Sequence, residues 1–311
     1  MKILENRLPV SAVRLSMTAA IIVLSSLVAC GGVLSKPNSK PNSKPSPEPL
    51  TAIADTASGA QTVDSNKWFH QTRLPNGDGW YNNEAQHYTN RTENAYVSDG
   101  TLKIVAIRER FTDQNRTKQF TSARLNSKYA FTYGRVDVRA KLPKGKGTWP
   151  AIWTLSRNIA ENGGYWQTQG FGTHQWPAAG EIDIMEHWGK NQNYVSSALH
   201  TQSSSGNTVN VDGQSVATVS SEFHIYSLDW NADRMIFSVD GKAHYRYRPE
   251  QKNAATWPFD SPQYLLLNFA IEGQHISADF TEDQMEVDYV RVYAANASPS
   301  AQPLWADEFN N

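Results

Sequence analysis

Residues 180–188 read Gly180-Glu-Ile-Asp-Ile-Met-Glu-His-Trp188, and this stretch decides the fold. Acidic and apolar residues alternate in it, which is typical of a β-strand with two different faces. Glu181 and Asp183 therefore point to one face. Glu186 has the opposite parity, and one extra residue near Met185, a β-bulge, would return it to the first face. The pattern predicts three carboxylates on one surface.

Carboxylates placed side by side repel one another, and the repulsion raises the pKa of at least one of them. A glycosidase needs one ionised and one protonated carboxyl group, so the cluster suits glycoside hydrolysis by two acids. The alternatives are a solvated strand edge and a calcium site. A calcium site places its acids in a turn, whereas these acids alternate with Ile and Met.

The rest of the chain reads as short β-strands separated by turn signals. Residues 265–271 are apolar on both faces, as in a central strand, and Asp240-Gly241 is a strong hairpin signal. No long segment has helical periodicity, and no βαβ pattern occurs. We therefore predict an all-β fold, a two-sheet antiparallel β-sandwich with a concave groove. Further alternating runs lie at 102–107, 134–140, 196–200, 223–230, 235–239, 243–247 and 285–293.

The composition excludes some classes of partner. The 311 residues carry a net charge of −1, which gives no electrostatic basis for binding nucleic acid. The 10 Trp, 13 Tyr and 11 Phe residues suit stacking on the flat faces of sugar rings, although most of them are expected in the core. The length after the leader fits one β domain, which we expect to be a monomer.

Residues 1–29 are expected to be a signal peptide. Basic residues, Lys2, Arg7 and Arg14, precede an apolar run at 17–29 that is too short for an ordinary membrane span. The run ends Leu27-Val-Ala-Cys30 and resembles a bacterial lipobox, in which the peptide is cut before the cysteine and the thiol is lipidated. The alternative is an ordinary signal peptide with an incidental cysteine.

Cys30 is the only cysteine of the chain, so no intramolecular disulfide can form. Residues 30–61 are rich in Pro, Ser and Lys and repeat Lys-Pro-Asn-Ser, which predicts an extended tether. The folded domain is expected at 62–311. This organisation predicts a domain that a lipid anchors to a membrane of the bacterial cell envelope, facing the periplasm or the cell exterior.

Several segments, taken in order, resemble one known family. Glu181-Ile-Asp-Ile-Met-Glu186 is similar to the acid motif of glycoside hydrolase family 16, in the form with two residues between Asp and the second Glu. The resemblance covers nearly all of residues 62–293 and is of the laminarinase type. The other segments that carry it are Gly79-Trp-Tyr-Asn-Asn-Glu-Ala-Gln-His-Tyr-Thr89, Thr121-Ser-Ala-Arg124, Gly147-Thr-Trp-Pro-Ala-Ile-Trp-Thr-Leu155 and Met285-Glu-Val-Asp-Tyr-Val-Arg-Val-Tyr293.

This resemblance implies a jelly-roll fold and a retaining endo-hydrolase of internal β-1,3 bonds in β-glucans such as laminarin, including mixed-linkage ones. Glu181 is then the nucleophile and Glu186 the general acid and base, with carboxyls about 5–5.5 Å apart. Asp183 is expected to hydrogen-bond the nucleophile, and catalysis needs no cofactor. The expected substrate-binding residues are the sugar platforms Trp149, Trp153, Trp176 and Trp188, the groove donors Asn83 and Arg124, and His200 beside the acids.

The end of the chain is out of its usual place. Pro303-Leu-Trp-Ala-Asp-Glu-Phe-Asn-Asn311 resembles the strand that opens the domain in the family, and residues 62–68 resemble the loop that follows that strand. We predict a circular permutation in which 303–311 supplies the first strand, because termini of domains often lie close together. The alternative is a disordered tail. The resemblance also implies a structural calcium ion, with Glu308, the Gly100 carbonyl and Asp288 as its ligands.

Other functions stay open at the level of sequence. The same acids occur in hydrolases of red-algal galactans such as agar or carrageenan, and the long segment 156–179 lies where it would reshape one end of the groove. A transglycosylase shares the glycosyl-enzyme intermediate and cannot be separated from a hydrolase. A surface glycan-binding protein is disfavoured because Glu181 and Glu186 are both present.

Overall fold

The structure, a computed structural model, describes residues 59–75, 77–298 and 300–310. The predicted signal peptide, the lipidation site Cys30 and the tether as far as residue 58 lie outside the described residues. None of the helices in the described ranges has the length and apolar character of a membrane-spanning segment.

Strands dominate the described residues, as the alternating pattern predicts. Helical structure is limited to α1 (Tyr165–Thr168) and to 3₁₀ turns at Tyr81–Asn83 and Gly189–Asn191. In chain order the strands are β1 (Trp68–His70), β2 (His87–Tyr88), β3 (Ala95–Ser98), β4 (Thr101–Asp113), β5 (Arg116–Ser122), β6 (Arg124–Phe131), β7 (Gly134–Lys141), β8 (Thr148–Ser156), β9 (Glu181–His187), β10 (Tyr194–His200), β11 (Val211–Ser215), β12 (His224–Trp230), β13 (Met235–Val239), β14 (Lys242–Tyr247), β15 (Gln263–Ile271), β16 (Glu282–Tyr293) and β17 (Trp305–Asp307).

The strands form two sheets, which confirms the predicted all-β sandwich. The seven-stranded sheet has the order β1-β6-β15-β8-β9-β10-β11. The ten-stranded sheet follows the order β14-β13-β12-β7-β16-β4-β5-β2, with β3 on β4 and β17 on β16. All pairs are antiparallel except β2 with β5, which is a short parallel pair. The predicted hairpin at Asp240-Gly241 is present, with positive φ at both residues.

The main core lies between the sheets. In β7 every second residue is buried, including Val136 and Val138, as one-sided strands require. β15 is buried along its whole length because it has a covered face on each side. Leu265 and Leu267 belong to the main core, whereas Tyr264 and Leu266 pack with Ile159 in a second cluster outside the sandwich. The long segment before β9 therefore covers one end of the seven-stranded sheet.

The predicted bulge is present in β9. On the β8 side, Met185 pairs with Ile152 and Asp183 pairs with Trp153, which leaves Ile184 as the extra residue. The register on the β10 side shifts at the same point. Because the bulge adds one residue between Asp183 and Glu186, the acids on its two sides point to the same face of the sheet.

The C-terminal segment is a strand of the ten-stranded sheet. β17 pairs with Val290–Val292 of β16. β4 pairs with β16 only as far as Val287, so β17 continues the sheet on the same edge of β16. Phe309 is 2% exposed and packs on the ring of Trp68, whose Nε1–H donates to Asp307 Oδ2 at 2.8 Å. The segment thus joins the residues that follow the linker, and the idea that it is a disordered tail is wrong. Its origin by circular permutation stays a prediction.

Candidate active site

A groove crosses the outer face of the seven-stranded sheet, and the acids of β9 lie at its middle. Two adjoining depressions form the groove. One is bounded by residues 206–208 and 271–275, and the other by residues 155, 159–162 and Pro75. Six residues line both depressions and so mark the place where they meet: Asn82, Glu84, Trp149, Trp176, Glu181 and Glu186.

Burial raises the pKa of all three carboxyl groups of β9, and repulsion from Asp183 raises the pKa of the two glutamates further, which agrees with the predicted repulsion. Burial raises the pKa of Asp183 to about 8. Burial and repulsion from Asp183 raise the pKa of Glu186 to about 8. The same two causes raise the pKa of Glu181 well above its ordinary value, while His200 and Arg124 act in the opposite direction. The site therefore holds protons at neutral pH, as a general acid requires.

His200 faces the nucleophile candidate from the neighbouring strand. The backbone N–H of Gly206 donates to His200 Nδ1 at 3.1 Å, so the neutral ring carries its proton on Nε2. Nε2 lies 3.2 Å from Asp183 Oδ2 and 3.6 Å from Glu181 Oε1. Asp183 Oδ2 has no hydrogen bond of good geometry within the described residues, so its predicted bond to Glu181 stays a prediction.

Two tryptophans contact the acids directly through their indole N–H groups. Trp149 Nε1–H donates to Glu186 Oε1 at 3.1 Å, and Trp176 Nε1–H donates to Glu181 Oε2 at 3.1 Å. Trp176 is 45% exposed, so its ring is open to a ligand. Trp188 stacks on Trp149 with ring centroids 4.0 Å apart. The sequence indicated these rings as sugar platforms, but it carried no signal for hydrogen bonds to the acids.

Trp153 and Arg124 lie deeper in the second depression. Trp153 Nε1–H donates to Asn268 Oδ1 at 2.7 Å, and the Arg124 guanidinium lies 4.7 Å from the centroid of the Trp153 ring. Arg124 is 2% exposed and donates to Glu161 Oε1 at 2.5 Å and to Gln71 Oε1 at 3.0 Å. These bonds occupy Nε and one terminal nitrogen of Arg124, which lines the second depression and packs on the Trp153 ring. Contact between Arg124 and sugar hydroxyls stays a prediction.

Asn83 lines the groove, in the first depression, where its backbone has φ +58°. Its neighbour Glu84 was missed by sequence reasoning. Glu84 is 8% exposed, lines both depressions, and its Oε2 accepts hydrogen bonds from Tyr88 Oη and Gln86 Nε2, each at 2.7 Å. Burial raises the pKa of Glu84. Its position in the segment Gly79–Thr89 was the available signal, but nothing in the spacing indicated which side chain would face the groove.

The loops that end the groove were also missed. Asn207 and Thr208 follow β10, and Glu272 to His275 follow β15, and both groups line the first depression. Glu272 Oε1 lies 3.4 Å from Lys190 Nζ, which in turn lies 4.4 Å from the ring centroid of Trp188. Loop residues follow no periodic pattern, so the sequence did not indicate that these two loops line the groove. β10 and β15 belong to the same sheet, and this brings the loops to the site.

Comparison with known proteins agrees with this geometry. The chain is 38% identical over 260 residues to glucan endo-1,3-beta-glucosidase A1 of Niallia circulans, covering 75% of this chain but only 36% of that protein. It is 38% identical to a beta-glucanase of Rhodothermus marinus, covering 74% of this chain and 80% of the relative. The crystal structure of a LamA variant from Z. galactanivorans in complex with laminaritriose and laminaritetraose has a TM-score of 0.70 and 45% identity, covering 76% and 95% of the two chains.

The match to the family includes the site. Residues 82–291, which contain all three acids, both tryptophans that bind them and His200, match the glycosyl hydrolases family 16. A retaining hydrolase of this kind uses two carboxylates on one groove, which is the arrangement that the bulged strand β9 creates. The chain belongs to glycosyl hydrolases family 16.

Proposed function

We propose that the protein is a retaining endo-glycoside hydrolase that cleaves internal β-1,3 bonds of β-glucans. The observation that carries this proposal is the pair Glu181 and Glu186, which line one groove from the two sides of a single bulge. The relatives support the substrate class, because they are named as endo-1,3-beta-glucosidases and beta-glucanases and one binds laminari-oligosaccharides.

The reaction needs two steps. In the first, a Glu181 oxygen forms a bond to the anomeric carbon as the glycosidic bond breaks, and Glu186 gives its proton to the leaving oxygen. In the second, Glu186 takes a proton from water, whose oxygen attacks the same carbon and releases Glu181. Trp176 Nε1–H donates to Glu181 and His200 lowers the pKa of Glu181, so both act against the burial and repulsion that raise this pKa. Both contacts thus favour the ionised form that attack on the carbon needs. The raised pKa of Glu186 keeps the acid protonated before the first step.

Endo-action follows from the position of the acids. They lie at the junction of two depressions, so bound sugar units extend to both sides of the scissile bond. An enzyme that removed terminal units would need one side closed. The exposed ring of Trp176 and the stacked pair of Trp149 and Trp188 flank the junction, where they offer flat faces to sugar rings.

A panel of polymers tests the substrate. We expect the protein to release new reducing ends from laminarin, more slowly from lichenan, and not from agarose or κ-carrageenan. Glu181→Gln is the control for contaminating activity. Proton NMR of the first product should show the β-anomer, which retention requires. Cleavage of a galactan without cleavage of either glucan would overturn the β-1,3-glucan assignment, and an initial α-anomer would overturn the mechanism.

We also propose a structural calcium ion at Glu308, the Gly100 carbonyl and Asp288. The position of β17 supports it: Glu308 follows a strand paired with β16, which contains Asp288. A Cβ added at Gly100 would lie 3.2 Å from Asn310 Oδ1, so Gly100 borders the same segment. Oxygen ligands of these types suit calcium.

Arginines compete with this ion. Arg291 donates to both oxygens of Glu308, at 2.8 and 2.7 Å, and Arg139 donates to Asp288 Oδ2 at 2.6 Å. The carboxylates therefore fit calcium only if the Arg291 bonds open. Calcium at a hundredfold excess over its Kd would add about 2.7 kcal/mol to the free energy of unfolding, which raises Tm by about 5–10 °C. We expect a chelator to lower Tm by that amount and calcium to restore it. An unchanged Tm would exclude the site.

We further propose that lipid on Cys30 holds the mature protein, a monomer, at the bacterial cell envelope. The lipobox-like sequence and the tether up to residue 61 support this. Mass spectrometry of the mature N-terminal peptide should show acyl chains on Cys30 and should show none in Cys30→Ser. A wild-type N-terminal peptide without acyl chains would exclude the lipid anchor.

A further inference from the structure

A buried hydroxyl group lies against the bulge of the catalytic strand. Ile184 has no Cα partner in the register of either β8 or β10. Ser197 of β10, at the shift in the register, donates from Oγ to the backbone carbonyl of Ile184 at 2.7 Å. Ser197 is 0% exposed. A buried carbonyl beside an irregular ladder needs a donor, and this serine supplies it.

Ser197 is itself oriented from the opposite sheet. His244 of β14 places Nε2 2.8 Å from Ser197 Oγ, and Gln214 of β11 places Nε2 3.1 Å from His244 Nδ1. The same Gln214 nitrogen donates to the Lys242 carbonyl at 3.1 Å, which fixes the orientation of the amide. An amide nitrogen can only donate, so His244 Nδ1 accepts and Nε2 carries the proton.

These contacts form a chain with one direction. Gln214 donates to His244, His244 donates to Ser197, and Ser197 donates to the carbonyl of Ile184. Burial lowers the pKa of His244, which keeps the ring in the neutral form that the chain needs. The chain ties the bulge to β14, a strand of the other sheet, and not only to its own neighbours.

The bulge decides where the general acid points. Without the extra residue, the parity of β9 would turn Glu186 away from the groove. If the bulge shifts along β9, the Glu186 carboxyl moves relative to Glu181, even when β9 stays paired with β8 and β10. A displacement of about 1 Å in such a pair can lower the rate about 10²-fold.

We propose that Ser197, oriented by His244 and Gln214, is a positioning residue that fixes the bulge and thereby the separation of the two catalytic carboxyls. The inference rests on the proposed function, because it concerns the placement of Glu181 and Glu186. Ser197 itself does not line the groove, and its effect reaches the substrate through β9. A serine that only satisfied a buried carbonyl would affect stability and leave the chemistry unchanged.

The test uses Ser197→Ala and His244→Leu in the full chain, with laminarin as substrate. We expect kcat to fall about 10-fold to 100-fold in Ser197→Ala and less in His244→Leu, with KM within twofold of the wild type. His244→Gln, which keeps one donor and one acceptor, should restore most of the rate. Because Asp183 raises the pKa of Glu186, a shifted bulge that changes the separation of the two carboxyls should move the alkaline limb of the pH profile from its wild-type position.

Ser127→Ala is the matched control. Ser127 is also fully buried in the seven-stranded sheet, and its Oγ donates to the Tyr129 carbonyl at 2.8 Å, away from the acids. We expect it to lower Tm and leave kcat and the pH profile unchanged. The inference is overturned if Ser197→Ala and His244→Leu keep the wild-type kcat and pH profile. It is also overturned if their kcat and pH profile are the same as those of Ser127→Ala. Activity of the wild type on the polymer panel decides the proposed function separately.

Discussion

Glu181→Gln is expected to lower kcat on laminarin by about 10⁴-fold to 10⁶-fold, because the covalent route needs an ionised oxygen that an amide cannot supply. Glu186→Gln should lower kcat by about 10²-fold to 10⁴-fold, which is the usual contribution of a general acid. Both amides keep the size of the side chain. Initial rates at saturating laminarin, with KM determined for each variant, measure the two effects.

The roles of the two acids can be separated with azide and an aryl β-glycoside that has a good leaving group. In Glu181→Ala, azide takes the place of the missing nucleophile and should give the α-glycosyl azide. In Glu186→Ala, Glu181 still forms the glycosyl-enzyme, and azide should attack from the other face to give the β-glycosyl azide. NMR of the products distinguishes them. The opposite outcome would mean that the roles of Glu181 and Glu186 are exchanged.

The same variants should change stability in a direction that depends on pH. Folding raises the pKa of Glu186 from 4.5 to about 8, so its ionisation opposes folding increasingly as pH rises through that range. Glu186→Gln should therefore melt above the wild type at pH 8 and with the wild type at pH 4. The wild-type activity that depends on protonated Glu186 should fall as pH rises through about 8. A Glu186→Gln variant less stable than the wild type at pH 8 would contradict this account.

The sequence was sufficient to predict features that depend on the pattern of polar and apolar residues within one strand. The parity of Glu181, Asp183 and Glu186 alone predicted the bulge, because a groove with all three acids has no other local solution. The apolar run at 265–271 likewise predicted a central strand, and β15 lies between β6 and β8. The first prediction rests on a two-residue period, and the second rests on a short apolar run that lacks one.

Features that depend on distant residues were not predictable. Arg124 lines the second depression, but its ion pair with Glu161, which is 37 residues away in the segment before β9, was not predicted. The indole bonds from Trp149 and Trp176 to the acids depend on ring orientation across a strand and a loop. His244 reaches Ser197 from the opposite sheet. Such contacts follow from how strands pair and stack, which one sequence does not specify.

Removal of residues 303–311 is expected to lower Tm by about 10–20 °C. The deletion removes Phe309, whose buried ring is worth about 3–5 kcal/mol, and leaves the buried Trp68 N–H without Asp307, at a cost of about 1–3 kcal/mol. The free energy of unfolding of a domain is about 5–15 kcal/mol. For a domain of this size, each kcal/mol lost lowers Tm by about 2–4 °C. Calorimetry of the truncated chain measures the loss. Leu304→Ser is the control, because Leu304 is 61% exposed and its loss should leave Tm nearly unchanged.

A chain with its segments in a different order tests whether β17 needs its position in the sequence or only its position beside β16. Moving 303–311 to the front of residue 62 and ending the chain at residue 293 keeps β17 beside β16. Lys67 Nζ lies 2.9 Å from Asp307 Oδ1, so the two segments that the new connection would join contact each other in the folded protein. If the chain is a circular permutation, this order should fold with a Tm within a few degrees of the wild type and retain activity on laminarin. A rearranged protein that melts as low as the truncated one would show that β17 needs its present connection through residues 294–302, and the permutation would be rejected.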